Sequence, residues 1–369
     1  MTDSLARTKR QETRHACQSD ATDAASVRID ATDLEDGQAG NVTWRQLRRQ
    51  THDADEHAAC LTNWQQRYDQ LSAGRFDGLF EEFCFGRVHI FRESLNQSVH
   101  QRGIAWPGSR TFAVPVVIDG TGRFSGKVFD SDSILTLPGA CEFDFRTPRR
   151  LEYLACTVDA EAFHTCAAHL QSDVGVYLES RVLLVPTNPQ KVSALRSLLS
   201  AMISTLQTAP ALLEHASMRK AMEQGLLESL INASNVDAAK PEAAPSLLTR
   251  HHVFTKAREY MEAHIDEPIS VVDLCVKLGV SRRTLQYTFE DMTNINPVRY
   301  LRALRLNAVR RELMHASGDG SMMVADVAAR WGFWHLSYFA SQYKAMFDEL
   351  PSVTLSSKAP AIHPNSERN

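Results

Sequence analysis

The sequence predicts an α+β chain of more than one domain, with a β-rich N-terminal half and an all-α C-terminal region. Three observations carry this. Short alternating runs broken by turn residues fill Arg75 to about Val158, the signature of half-buried strands. From about residue 250 to 355 the apolar spacing turns helical. A helix–glycine–helix phrase is also written twice, VKLGVSRRTLQYTFEDM around Gly279 and ARWGFWHLSYFASQYKAMF around Gly332.

Composition sets the outer limits. The 369 residues suffice for two or three domains with cores of their own, and 43% hydrophobic with 23% charged residues is ordinary for a soluble globular chain. No run approaches the ~18 consecutive apolar residues of a membrane span, and no secretory leader is recognisable, so no membrane partner and a cytoplasmic location are expected. The seven cysteines are odd in number and scattered, with no CxxC, which argues against structural disulfides and a zinc site. The net charge of −4 is uneven: residues 250–358 hold fourteen Arg and Lys against twelve Asp and Glu, whereas residues 1–249 hold 25 against 31. A mildly basic C-terminal region on an acidic chain is compatible with nucleic-acid binding.

In chain order, residues 1–40 are rich in Ser, Thr, Asp and Ala and poor in large apolar residues, which predicts a disordered segment. Residues 41–233 form the second region. Within it, Cys60, Trp64, Tyr68 and Leu71 fall on one face of a helix expected over Asp53–Leu71. The strand region follows; Cys141, Phe143 and Phe145 alternate with Glu142, Asp144 and Arg146, and DGTG at 119–122 and DSDS at 130–133 mark turns. Many short strands point to a small barrel or sandwich. Asp159 is placed to cap a helix over 160–170. Two apolar-striped helices come next, one after Asn188-Pro189 with Leu195, Leu198, Leu199, Met202 and Leu206, the other with Met218, Met222, Leu226 and Leu230. Their stripes are either intramolecular cover or a homodimer seam, with the seam slightly favoured. NVDAAKPEAAPS lies in a linker over 234–249, and a flexible tail is expected over 356–369.

The helical region over 250–355 holds the repeated phrase. In the first copy Val272, Leu274, Cys275 and Leu278 give one apolar face, Gly279 supplies the left-handed turn, and Ser281 caps a second helix with Leu285, Phe289 and Met292 inward. The second copy has Val324, Val327, Ala328 and Trp331, then Gly332-Phe333, then Phe339 and Tyr343. Each is a helix-turn-helix, whose second helix can enter a major groove. A connector from Pro297 to about Met314 joins them; at ~1.5 Å per residue it spans ~27 Å. Adjacent major-groove faces lie roughly 34 Å apart, so two such units on a rigid connector suit one face of a duplex.

SRRTLQYTF, NPVRYLRALRLNAVRREL and VADVAARWGFWHLSYFASQYKAMF resemble the tandem helix-turn-helix domain of AraC-type transcription regulators over roughly residues 252–352. RRTLQYTF with RWGFWHLS, and NWQQRYDQLSAGRFDG at 63–78, are most similar to the ethanolamine-operon regulator subfamily. The resemblance implies a cupin-like sensing domain in the N-terminal half and a homodimer acting with RNA polymerase, as an activator of a catabolic operon. It also implies a small-molecule effector, ethanolamine with adenosylcobalamin.

The exposed side of the first second-helix carries Arg282, Arg283, Gln286 and Tyr287. Arg suits guanine O6 and N7, and Gln suits adenine N6 and N7. The family's reading positions fall on Arg283, Gln286 and Tyr287; Arg282 is equally a solvated residue. In the second copy His335 and Ser341 stand where many family members carry an acidic residue and an arginine, leaving Ser337 and Lys344 on the exposed side. This unit is therefore expected chiefly to hold phosphates. Arg299, Arg302, Arg310 and Arg311 on the connector are expected to contact phosphates too; Arg305 is assigned a structural ion pair, and Glu312 is placed to blunt Arg311.

No catalytic set emerges. His89 and His100 lie in the strand region without an HxH or a well-spaced acidic ligand, so no metal site is assigned and both are read as structural. The scattered cysteines do not suit a reactive-thiol repair regulator, and neither a phosphate loop nor a nucleophile elbow is present. An effector-responsive DNA-binding regulator therefore ranks above a metal-dependent cupin enzyme fused to a DNA anchor. A constitutive architectural protein would leave the N-terminal half without a purpose.

Overall fold

The computed structural model describes residues 44–172, 184–185, 188–235, 245–315 and 322–356; the segment 1–40, most of the linker and nearly all of the tail fall outside them. The N-terminal half is two antiparallel sheets. The larger contains β1 (Trp44–Thr51), β3 (Gly78–Phe85), β4 (Val88–Leu95), β6 (Ser109–Asp119), β9 (Ile134–Pro138), β11 (Arg150–Asp159) and β12 (Leu184–Val185), in the order β1-β3-β4-β11-β6-β9-β12. The smaller runs β2-β5-β10-β7-β8, from β2 (Gln65–Gln70), β5 (Val99–Ile104), β7 (Gly122–Phe124), β8 (Lys127–Phe129) and β10 (Glu142–Arg146). Between the sheets lies an aromatic core of Phe80, Phe91, Phe124, Phe143, Phe145 and Tyr153.

The helix expected over Asp53–Leu71 is not there. Asp53 caps only a short α1 (Ala54–Ala58), Asn63 takes a left-handed φ of 61°, and the chain then runs as β2. Spacings of three and four fit a helix locally, but pairing with β5 from Gln65↔Ile104 to Gln70↔Val99 outweighs them.

Asp159 does cap a helix, α2 (Ala160–His169), by accepting the Ala162 N–H. The two striped helices are α3 (Pro189–Thr208) and α4 (Ala216–Ser234). Their stripes are not left open as a dimer seam. Leu195, Leu199, Leu206, Leu226 and Leu230 share one buried core with Ile90, Phe112, Val114 and Phe163, so the helices cover the outer face of the large sheet. A sheet face this apolar needs such cover within the chain.

The C-terminal region is α5 (Pro245–Ala263), α6 (Val271–Leu278), α7 (Arg282–Thr293), α8 (Pro297–His315), α9 (Val324–Arg330), α10 (Leu336–Phe347) and α11 (Pro351–Ser356). It packs on β2, β5, β7 and β10. Leu71 joins the helical core, His100 Nδ1 lies 2.7 Å from Tyr300 Oη, and Arg258 reaches Asp144 at 2.6 Å. The Asn307 amide accepts from the Gln70 N–H at 3.1 Å and donates to the Gln70 carbonyl at 2.9 Å.

Candidate nucleic-acid interface

The first helix pair is built as its sequence requires. Ser270 and Asp273 form a reciprocal capping box at the start of α6, and Gly279 ends that helix at φ 65°. Ser281 then caps α7 by accepting the Thr284 N–H at 3.0 Å. Leu285, Phe289 and Met292 are buried, which fixes the opposite face outward. Arg282, Arg283, Gln286 and Tyr287 are all exposed there. Arg283 donates to Tyr287 Oη at 3.2 Å and lies over its ring, and Gln286 donates to Glu290 Oε1 at 2.9 Å. Sequence reading passed over Glu290, although its i+4 offset from Gln286 puts it on the same face. A carboxylate there can accept from cytosine N4.

In the second pair Gly332 makes the turn at φ 80°, and a Cβ would meet Arg305 Nη1 at 3.3 Å. His335 caps α10 by accepting the Tyr338 N–H at 3.3 Å, so its imidazole holds the helix start. Phe339, Tyr343, Met346 and Phe347 are buried, and Ser337, Ser341 and Lys344 are exposed.

The connector α8 divides its arginines. Arg299 is exposed, and Arg302 lines the cleft between the two pairs. Arg305 donates to the carbonyls of Ile265 (2.8 Å) and Glu267, a structural role met by carbonyls in place of the ion pair expected for it. The phosphate role expected of Arg310 and Arg311 needs correction. Arg310 is held by Asp53 and Glu349, each at 2.6 Å, and Arg311 by Asp55 and Asp69, each at 2.7 Å. These guanidiniums dock the helical region on the N-terminal half. Glu312 turns away from Arg311 and binds Arg330 and the Trp331 indole.

The histidines of the strand region are engaged. His89 Nε2 lies 2.7 Å from Glu82, an acidic neighbour that the β3–β4 pairing supplies and sequence spacing hid. Glu82, Cys84 and His89 are the one metal-ligating trio among the described residues. Glu82 already takes Arg45, Thr62 and His89, and burial, with Glu82 nearby, pushes the Cys84 thiol up to about 12, so the carboxylate is engaged and the thiol is held protonated. Burial likewise pushes Cys60 up to about 11, the reverse of an activated thiol.

Residues 274–357 match the helix-turn-helix domain family. Over 309 residues the chain is 28% identical to the probable thc operon regulatory protein of Rhodococcus erythropolis, covering 82% of this chain and 86% of that protein. It is 34% identical over 103 residues to the XylDLEGF operon transcriptional activator 2 of Pseudomonas putida, covering 28% of this chain and 65% of that one. Among solved structures, a transcriptional regulator from Chromobacterium violaceum with an AraC-type DNA-binding domain aligns at 30% identity over 31% of this chain and 98% of its own, with a TM-score of 0.29. Each of these relatives is named as a regulator or activator of transcription or of an operon. Residues 274–357 are therefore a helix-turn-helix domain, carried by a chain similar over most of its length to an operon regulatory protein.

Proposed function

We propose that the protein is a sequence-specific transcription regulator of a catabolic operon, acting as an activator with RNA polymerase. In this reading its tandem helix-turn-helix units occupy adjacent major grooves and a cupin-like N-terminal domain senses a small molecule. The observation that carries the DNA reading is the α7 face. Arg282, Arg283 and Gln286 stand exposed on a helix whose other side is locked by Leu285 and Phe289. Arg299 and Arg302 supply phosphate contacts beside it. A homodimer would place two such domains on paired half-sites, in the cytoplasm where DNA is available. Full-length protein should enrich a defined sequence from a random DNA pool. Arg283→Ala or Gln286→Ala should weaken that complex by about 1–3 kcal/mol at particular base pairs, while Ser341→Ala changes little. Equal loss from all three would contradict the reading.

The effector site proposed is the cavity between the sheets, of about 40 Å³ and lined by Trp64, Phe91, Phe143, Phe145, Tyr153 and Gln101. That is room for roughly three waters, the scale of ethanolamine, and aromatic walls suit an ammonium group. Adenosylcobalamin is far too large for it and would need another site. Thermal shift with each compound, alongside promoter activity, tests the pair. A cobalamin shift without an ethanolamine shift would move the sensor elsewhere.

A further inference from the structure

The start of α10 is unlike the rest of the surface. Trp334 is 88% exposed, Tyr338 56% and Leu336 47%, three large apolar side chains within five residues. Isolated exposed apolar residues are commonplace, but a cluster of this size marks a contact. It sits at the N-terminal end of the second helix of a helix-turn-helix pair, the end that meets base edges when such a helix enters the major groove. Behind it opens a cleft of about 540 Å³ between the two pairs, lined by Arg302, Arg305 and His335 and by no carboxylate. An apolar rim over a carboxylate-free cleft that Arg302 lines does not repel a duplex.

The polar groups on this face are sparse. Ser337 and Ser341 offer single hydroxyls, and Lys344 a point charge at the far end. In the major groove the one apolar mark that distinguishes base pairs is the thymine C5-methyl. α7 presents a more polar inventory, two arginines, a glutamine and a glutamate beside the single aromatic Tyr287. Building on the DNA-binding reading above, we propose that the second unit is a thymine reader. Trp334, Leu336 and Tyr338 pack against C5-methyl groups, while the first unit reads purines by hydrogen bonds. The operator is accordingly bipartite, with a guanine- and adenine-bearing element beside a thymine-bearing one.

The test uses full-length protein and the DNA it enriches from a random pool, with each thymine replaced in turn by deoxyuridine, which removes only the methyl. Loss of one buried methyl corresponds to roughly a fourfold weaker Kd, expected at one or more thymines of a single element. A variant carrying both Trp334→Ala and Leu336→Ala should lose that sensitivity, whereas Arg283→Ala should keep it. Because both side chains are exposed, the double variant should melt as the parent does. Enrichment of a sequence with no deoxyuridine effect overturns the thymine reading and leaves the DNA reading standing; failure to enrich any sequence removes both. If the double variant keeps DNA affinity and the deoxyuridine pattern but fails to activate transcription, the patch belongs to a protein partner and the proposal falls.

Discussion

Replacing Asp69 by Asn should cost about 3 kcal/mol of stability. Asp69 is fully buried and its carboxylate holds Arg311 at 2.7 Å and Arg102 at 2.9 Å, with the half-exposed Arg67 at 3.4 Å. Removing one partner of a buried pair costs roughly 3–5 kcal/mol, because the remaining charge is left uncompensated. Here each arginine keeps a second carboxylate, Asp55 for Arg311 and Glu262 for Arg102, which places the loss at the lower end. The new amide also turns an NH2 toward two guanidinium donors. Urea denaturation of full-length Asp69→Asn against the parent measures the difference. The pH dependence gives an independent check. Burial alone would raise Asp69, but Arg311, Arg67 and Arg102 hold it well below the usual carboxylate range. Its stabilisation is thus complete above the unfolded value of about 4 and fades as pH falls below it. The gap between parent and variant should stay flat above about pH 7, where Asp55 is ionised in both, and close once the pH falls well below 4. A loss below about 1 kcal/mol, typical of exposed pairs, would refute the idea that this carboxylate docks the two halves.

Asp55 carries the opposite sign: burial, reinforced by Asp53 and Asp69, pushes it up to about 6 despite Arg311. The folded protein then holds an extra proton between about pH 4 and 6, so stability falls as pH rises through that window, and Asp55→Asn should flatten the slope in pH-dependent melting. Gly332→Ala, at φ 80° with Arg305 Nη1 at 3.3 Å, should cost at least the roughly 1–2 kcal/mol of a left-handed alanine and more than Gly279→Ala, which meets open space; equal losses would remove the role of the Arg305 contact. A fragment of residues 248–369 should bind DNA without effector control. Its log K against log salt should steepen by about one if Arg311, which loses both Asp55 and Asp69 while Arg310 keeps Glu349, reaches a phosphate.

The C-terminal region was legible because its signals are local. Gly279, Ser281 and Pro297 each perform within a few residues of where they stand, and burial of Leu285, Phe289 and Phe339 follows their spacing. The errors all arose from partners distant in sequence. The Asp53–Leu71 helix gave way to pairing with β5, and the stripes of α3 and α4 found a sheet to cover. Arg310 and Arg311 look like phosphate ligands until Asp53, Asp55 and Asp69, more than two hundred residues away, arrive beside them. Glu82 was invisible as the partner of His89 because only hairpin register brings them together. Patterning reports which face is apolar or charged, not what meets it.

The Asn307–Gln70 clip has a consequence for solubility. β2 is the outer strand of its sheet, and an outer strand with free N–H and C=O groups is a template for another chain. At Gln70 those two groups are taken by a helix side chain that imitates a neighbouring strand for one residue. Any displacement of α8 from the sheet therefore uncovers a sticky backbone edge at the same moment that it frees the connector arginines. Asn307→Ala should accordingly show its defect first as concentration-dependent association, before any loss of helical structure is visible.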